Sequence, residues 1–235
     1  MLITRSGLAE SRERAQALIL AGKVRVAGET VRTPSRIVRD DAAVAVDAEP
    51  GYASRGALKL APALDRFGVD PSGRVCADIG ASTGGFTDVL LRRGAARVYA
   101  VDVGRGLLHW RLRQDARVVV IERQNARDLE SLPEPVSLVV VDVSFISLEK
   151  ILPAIRRAAA SAEVVVLFKP QFEVGRGEVG KGGIVRSEEA VAAALARFRA
   201  WCAANDYVVV ADAPSEVAGA EGNREIFVHL LPASR

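Results

Sequence analysis

The rhythm of apolar and polar positions changes near residue 52. Before it, Ala15, Leu18 and Ile19 recur at helical spacing between Ser11, a good N-cap, and Gly22, a natural stop. This predicts a short helix over 11–21. Residues Lys23–Val31 alternate with period two around a glycine-containing turn, the signature of a hairpin, and Ala43–Val46 supplies a third short strand. The acidic, proline-containing stretch Asp47–Gly51 reads as a linker. Beyond Tyr52 the apolar runs become continuous. Strands are predicted near 74–79, 97–102, 117–122, 136–142 and 163–168, and helices near 55–67, 85–93, 105–114 and 147–160. A last helix near 187–204 precedes a strand pair, Tyr207–Ala211 and Glu225–Leu231. Strands without alternation are buried on both faces, so the sheet is expected to be parallel and covered by helices on both sides. The predicted architecture is α/β: a Rossmann-like doubly wound sheet with a small N-terminal α+β module. Boundaries are set at 1–47, a linker at 48–53, and 54–235.

Composition narrows the class. A chain of 235 residues with 49% hydrophobic content can bury a sizeable core, which excludes wholesale disorder. The longest apolar runs, such as Val164–Phe168, are too short to span a bilayer, and Met1–Arg5 has no apolar core of a signal peptide. Cys76 and Cys202 lie far apart, and the histidines are His109 and His229, so neither a disulfide framework nor a zinc site is expected. A reducing cytosol, and hence a cytoplasmic protein, follows as the expectation. The net charge of +3 is unevenly placed. Residues 1–39 carry eight Lys/Arg against three acids, whereas the remainder is slightly acidic. Phosphate contacts are therefore sought at the N-terminus.

The most informative stretch is Asp78–Thr87, where a buried strand breaks into Gly80-Ala81-Ser82-Thr83-Gly84-Gly85 just before a helix. Glycines let the backbone turn sharply and approach a ligand closely. Asp102 ends the second strand, where an acid binds ribose hydroxyls of a nucleoside cofactor. The loop lacks the glycine triplet that hugs a pyrophosphate, and Asp78 places an acid at its mouth. Both favour S-adenosylmethionine, with its ammonium and sulfonium, over a nicotinamide.

A second glycine-rich stretch, Gly175–Gly182, matches GxxxxGK of a phosphate loop. The following residue is Gly182, not Ser/Thr, and no helix opens directly after it, so a mobile substrate-covering loop fits better than a nucleotide triphosphatase. Asp142 and Lys169 each end a predicted strand, at the edge where ligands bind in such sheets.

With these positions in view, the chain resembles the TlyA family of S-adenosylmethionine-dependent ribosomal-RNA 2′-O-methyltransferases, whose catalytic domain is similar to FtsJ/RrmJ. The matching segments are Ser54–Leu60, Asp78–Thr87, Val141–Ser147, Phe168–Glu173 and Gly222–Glu225. The resemblance implies a methyltransferase sheet and a catalytic set of Lys59, Asp142, Lys169 and Glu225. A ribose hydroxyl is a weak acid facing an already electrophilic methyl, so the enzyme must align the oxygen and ease loss of its proton. Lys169 is assigned as the hydroxyl-facing base and Asp142 as its orienting partner, with Lys59 and Glu225 in support. The implied cofactor-binding set is Asp78, Gly80, Ser82, Thr83, Gly84, Gly85, Phe86, Asp102, Val103, Asn125, Ala126 and Asp142, with Asn125-Ala126 at the adenine edge.

Residues 7–38 resemble the alpha-L RNA-binding motif of the small-subunit ribosomal protein four family. Ser11, Arg12, Arg14, Lys23 and Arg25 are the implied RNA contacts there, and Arg55 in the later domain. The expected activity is methylation of a ribose 2′-hydroxyl, a cytidine's by resemblance, in ribosomal RNA or ribosomal subunits. A short first helix points toward the large subunit. Two alternatives stand beside it. One is RNA base methylation. The other is a non-catalytic RNA-binding or haemolysin-like protein, since the family also carries a haemolysin label. Membrane lysis finds no spanning or inserting helix to support it.

Overall fold

The computed structural model describes residues 2–9, 11–20, 22–40, 42–46, 51–219 and 221–233, and the side chains of these except Arg14, Ala17 and Arg176. The expected linker thus lies outside the described residues over 48–50. The chain divides into two compact units, Met1–Gly51 and Tyr52–Arg235.

In the first unit, α1 (Leu2–Arg5) is a single turn and α2 (Arg12–Leu20) a short helix. Ala15, Leu18 and Ile19 of α2 are buried against Ile3, Val24 and Val31, as their spacing required. The chain leaves α2 through Gly22 at φ +70°, with Lys23 N donating to Leu18 O and Gly22 N to Ile19 O, both at 2.9 Å. This is a Schellman closure, which the left-handed glycine makes cheap. Strands β1 (Val24–Val26) and β2 (Glu29–Val31) form the hairpin in register Val24↔Val31, and β3 (Val44–Val46) pairs antiparallel with β1 on its other side.

The second unit opens with α3 (Ala57–Phe67) and continues β4 (Val75–Ile79), α4 (Gly85–Arg92), β5 (Arg97–Asp102), α5 (Trp110–Arg113), β6 (Val118–Glu122) and β7 (Leu138–Val141). Then follow α6 (Leu152–Ala158), β8 (Glu163–Phe168), α7 (Pro170–Glu173), α8 (Glu188–Ala204), β9 (Tyr207–Pro214) and β10 (Ile226–Pro232). Seven strands form one sheet in the order β6-β5-β4-β7-β8-β10-β9. Strands β4 to β8 are parallel, whereas β10 runs antiparallel to both β8 and β9. Successive strand residues feed two cores. Ala77, Ile79, Val139 and Val141 pack with α6 and α8, while Cys76, Leu138, Val140 and Leu167 pack with α3 and α4.

The helix expected over 105–114 is confined to Trp110–Arg113. Acceptors outside the segment hold its first half as a loop: Asp102 Oδ1 takes Gly104 N at 2.7 Å and Glu122 Oε1 takes Gly106 N at 2.7 Å, with Gly106 at φ +71°. The left-handed Gly106 breaks the helical backbone, and the two carboxylates serve amides that a helix start would leave unpaired.

The strand order reverses at β4, whose neighbours are β5 and β7, and a crevice opens there at the carboxyl ends. Asp142 N donates to Ile79 O at 2.9 Å, so the β4 and β7 ends stay paired up to the loop itself.

Candidate active site

Gly80 explains the loop's first turn. It sits at φ +85°, and a Cβ there would run into the Asp142 carbonyl. Gly85 opens α4 against α3, where a Cβ would collide with Ser54 Oγ and lie 2.9 Å from Ala57 N. Glycine at these two places lets β4, β7, α3 and α4 converge on one cavity. That cavity, of about 230 Å³, is lined by Arg55, Lys59, Asp78, the Gly80–Thr83 turn, Phe86 and Asp142. A second, of about 390 Å³, shares Gly80, Ser82 and Asp142 and extends past Asp102, Val103, Asn125, Ala126, Arg127 and Phe145.

Asp78 is fully buried, and one of its oxygens accepts both Thr87 N (2.8 Å) and Thr87 Oγ1 (2.6 Å). Burial pushes its carboxyl up to about 7. The charges of Asp142 and Asp102 add to the shift and the Thr87 bonds oppose it. Its other oxygen, Oδ1, has no donor, and Asp142 Oδ1 is likewise buried without a hydrogen-bond donor. Three carboxylates around one cleft, with Asp78 Oδ1 unpaired, suit a ligand bearing an ammonium or sulfonium and ribose hydroxyls. Asp102 is already engaged: Ser82 N donates to Oδ2 at 2.8 Å and Gly104 N to Oδ1 at 2.7 Å. It therefore braces the loop while each oxygen keeps a lone pair for a ribose. Asn125 lines the cleft and caps the 126–128 turn, accepting Arg127 N at 3.1 Å.

The four polar residues stand as two ion pairs. Lys59 Nζ lies 2.6 Å from Glu225 Oε2, and Lys169 Nζ lies 2.6 Å from Asp142 Oδ1. All but Asp142 are largely shielded from solvent, and Glu225 is 3% exposed. Lys59 and Asp142 line the same cavity. The ammonium of Lys169 lacks hydrogen-bond geometry toward Asp142 and donates instead to Ser144 Oγ at 2.8 Å. Ser144 was not singled out from sequence, because the bond spans 25 positions.

Three further residues escaped the sequence reading. Phe145 is 90% exposed, sits at φ +65° and meets the Phe172 ring at a 52° tilt, with ring centres 5.2 Å apart. A bulky residue held left-handed with its ring in solvent is strained by about 1–3 kcal/mol, a cost that marks functional loops. Glu173 accepts Leu148 N and the Ser147 hydroxyl, both at 2.8 Å. Asn223, 1% exposed, accepts Val185 N (2.9 Å) and donates to Gly183 O (2.8 Å), pinning the end of the glycine-rich loop that was expected to cover substrate.

In the first unit, Arg12 and Arg25 are exposed, Lys23 is half-buried, and Arg12 lines a cavity with Thr4, Arg5 and Gln16. Ser11 precedes α2, its carbonyl accepting Ala15 N, while the Arg14 side chain lies outside the described residues. Among the described residues, no helix is long and apolar enough to cross a membrane.

A mostly parallel sheet with a glycine loop and strand-end acids at its switch point defines a methyltransferase of the α/β class. Residues 52–231 match the FtsJ-like methyltransferase family and residues 1–44 match the S4 domain. The chain belongs to the FtsJ-like methyltransferase family. It is 48% identical over 97% of its length to the 16S/23S rRNA (cytidine-2'-O)-methyltransferase TlyA of Mycobacterium tuberculosis, covering 87% of that protein. It is 42% identical over 96% of its length to hemolysin A of Brachyspira hyodysenteriae, covering 95% of that protein. A solved structure described as a hemolysin from Streptococcus thermophilus superposes with a TM-score of 0.76 at 40% identity, over 99% of this chain and 87% of that one.

Proposed function

We propose that this protein transfers a methyl group from S-adenosylmethionine to the 2′-hydroxyl of a cytidine in ribosomal RNA, working in the cytoplasm where ribosomes are made. The observation that carries the reading is the two lysine–carboxylate pairs, Lys59–Glu225 and Lys169–Asp142, of which Lys59 and Asp142 line one cavity with Asp78. The cofactor supplies an electrophilic methyl, and the pocket residues fit it: Asp78 and Asp142 toward its cations, Asp102 toward its ribose, Val103, Asn125 and Ala126 around its base.

The chain's own residues then have the substrate to orient. Lys169 is the group assigned to take the hydroxyl proton, with Asp142 and Ser144 fixing where its nitrogen points. Lys59, held by Glu225, offers a cation near the reacting oxygen that steadies the developing negative charge. Arg55 and Arg127, exposed cations lining the two cavities, are placed for phosphates of the acceptor strand. Phe145 offers a stacking face for an unpaired base. In the S4 unit, Arg12, Lys23 and Arg25 supply further phosphate contacts. Shared names with hemolysins do not favour lysis, because the site's chemistry is that of group transfer.

Mass mapping of ribosomal RNA after reaction with isotopically labelled cofactor tests this directly. A labelled methyl on a cytidine ribose is expected in the wild type, and Lys169→Ala is expected to lose about 100-fold or more in single-turnover rate with cofactor affinity kept. A methyl on a base, or none, rejects the reading; an unimpaired Lys169→Ala rejects the base assignment.

A further inference from the structure

Two segments carry the chemistry, and they are joined at three levels. Asp142–Leu148 leaves β7, and Lys169–Glu173 leaves β8. At the first level Lys169 meets Asp142 Oδ1 at 2.6 Å and Ser144 Oγ at 2.8 Å. At the second the Phe145 and Phe172 rings meet at 5.2 Å. At the third the Glu173 carboxylate takes Ser147 Oγ–H on one oxygen and Leu148 N–H on the other, each at 2.8 Å. The first two levels hold exposed or strained parts: Ser144 is exposed, and Phe145 is left-handed with its ring in solvent. Each leans on a residue open to solvent. The third level is shielded and two-pronged.

We propose that Glu173 is a positioning residue for methyl transfer, a latch that sets the β7 segment against the β8 segment and thereby the angle at which Lys169 meets Asp142 and Ser144. The proposal rests on the ribose-methylation reading above. The ionised carboxylate accepts both prongs; protonated on Oε2 it donates to Ser147 Oγ while Oε1 keeps Leu148 N–H, so either state closes the latch. Burial pushes this carboxyl up to about 7, Glu149 of the facing 148–150 turn adds like-charge repulsion, and the two bonds oppose the shift. A glutamine at this position keeps both prongs, accepting Leu148 N–H with its oxygen and donating to Ser147 Oγ with its amide, and does not titrate.

The test compares single-turnover transfer from labelled cofactor to ribosomal RNA, with cofactor and RNA saturating so that titration of Asp78 does not enter. Wild-type transfer to a ribose tests the functional reading by itself. Glu173→Ala is expected to slow transfer on the order of 10- to 100-fold with cofactor and RNA affinities held within about threefold, as a misplaced base should. Glu173→Gln is expected within about threefold of wild type, because its amide keeps both prongs. An unchanged Glu173→Ala, a loss that tracks cofactor affinity, or a glutamine variant as slow as the alanine one overturns the latch. Should Glu173→Ala fail to fold, Ser147→Ala removes one prong from the facing segment: about a threefold slowing or more at unchanged affinity supports the proposal, and no slowing overturns it. Independently of any substrate, the Leu148 amide resonance is expected to shift as Glu173 titrates in the wild type and not in Glu173→Gln; a wild-type resonance blind to that titration overturns the proposal.

Discussion

Lys59 Nζ and Glu225 Oε2 lie 2.6 Å apart although 166 positions separate them in the chain. One residue comes from the first helix of the catalytic unit and the other from the threshold of its last strand. Their contact is almost out of reach of water, with Glu225 only 3% exposed, so removing either partner strands the other.

Glu225→Ala is therefore expected to destabilise the catalytic unit by about 3 kcal/mol, through the unpaired Lys59 ammonium. Glu225→Gln keeps a hydrogen bond and is expected to cost less than half of that. Denaturant unfolding of both variants checks the order, and equal losses would show that the charge is not what matters.

Asp78→Asn is expected to stabilise the protein while weakening the site. The folded-state carboxyl is raised from 3.8 to about 7, so the fold gives up stability as pH climbs through that window and bears the full cost above it. Asparagine can still accept the Thr87 donors without burying a charge. Melting at pH 8 is expected to rise by several degrees, and the drop in melting temperature between pH 5 and pH 8 to shrink, for a term of at most about 4 kcal/mol. Calorimetry with S-adenosylmethionine is expected to show affinity down at least about tenfold, since the open oxygen becomes an amide. A variant that is both less stable and fully competent to bind contradicts this account.

The same acid gives cofactor binding a pH dependence. A cation beside Asp78 favours its ionised form, so wild-type affinity is expected to fall about tenfold between pH 8 and pH 6. Asp78→Asn should remove most of that slope in titration calorimetry.

Phe145→Gly relieves a left-handed backbone at the expense of an exposed ring. It is expected to raise stability by about 1 kcal/mol and to raise KM for RNA severalfold, with cofactor affinity unchanged. Thermal melts and steady-state kinetics read the two effects separately; a lowered melting temperature would place the ring's worth in its contact with Phe172 instead.

The fold was legible wherever residue type and burial agree. The valine run of β8 is bounded at 163–168 in both readings, because a strand buried on two faces can hold little else. The Ala15–Leu18–Ile19 stripe and the Gly22 stop were equally plain. The 105–114 helix is cut short because Gly106 is left-handed, in a loop tied by Asp102 and Glu122 from two different strands. Strand order was hidden for a related reason: nothing local in Ile226–Pro232 says that it slots between β8 and β9. At the site, Asp78 and Asp102 announced themselves by their position at strand ends. The lysine and glutamate assignments came from family resemblance, and Ser144 and Glu173 became visible only through bonds that cross from one loop to another.

The antiparallel placement of β10 has a consequence in time. Its register, Ile226 opposite Phe168, brings the late residue Glu225 to the same edge as Lys169 and toward Lys59. A growing chain that has emerged only through residue 224 already holds the glycine loop, Asp102, Asp142 and Lys169, yet the cation of Lys59 has no counterion and β8 has no neighbour on that side. Such a chain carries an incomplete site: the last-made strand is the one that closes the ion pair joining the two ends of the catalytic unit.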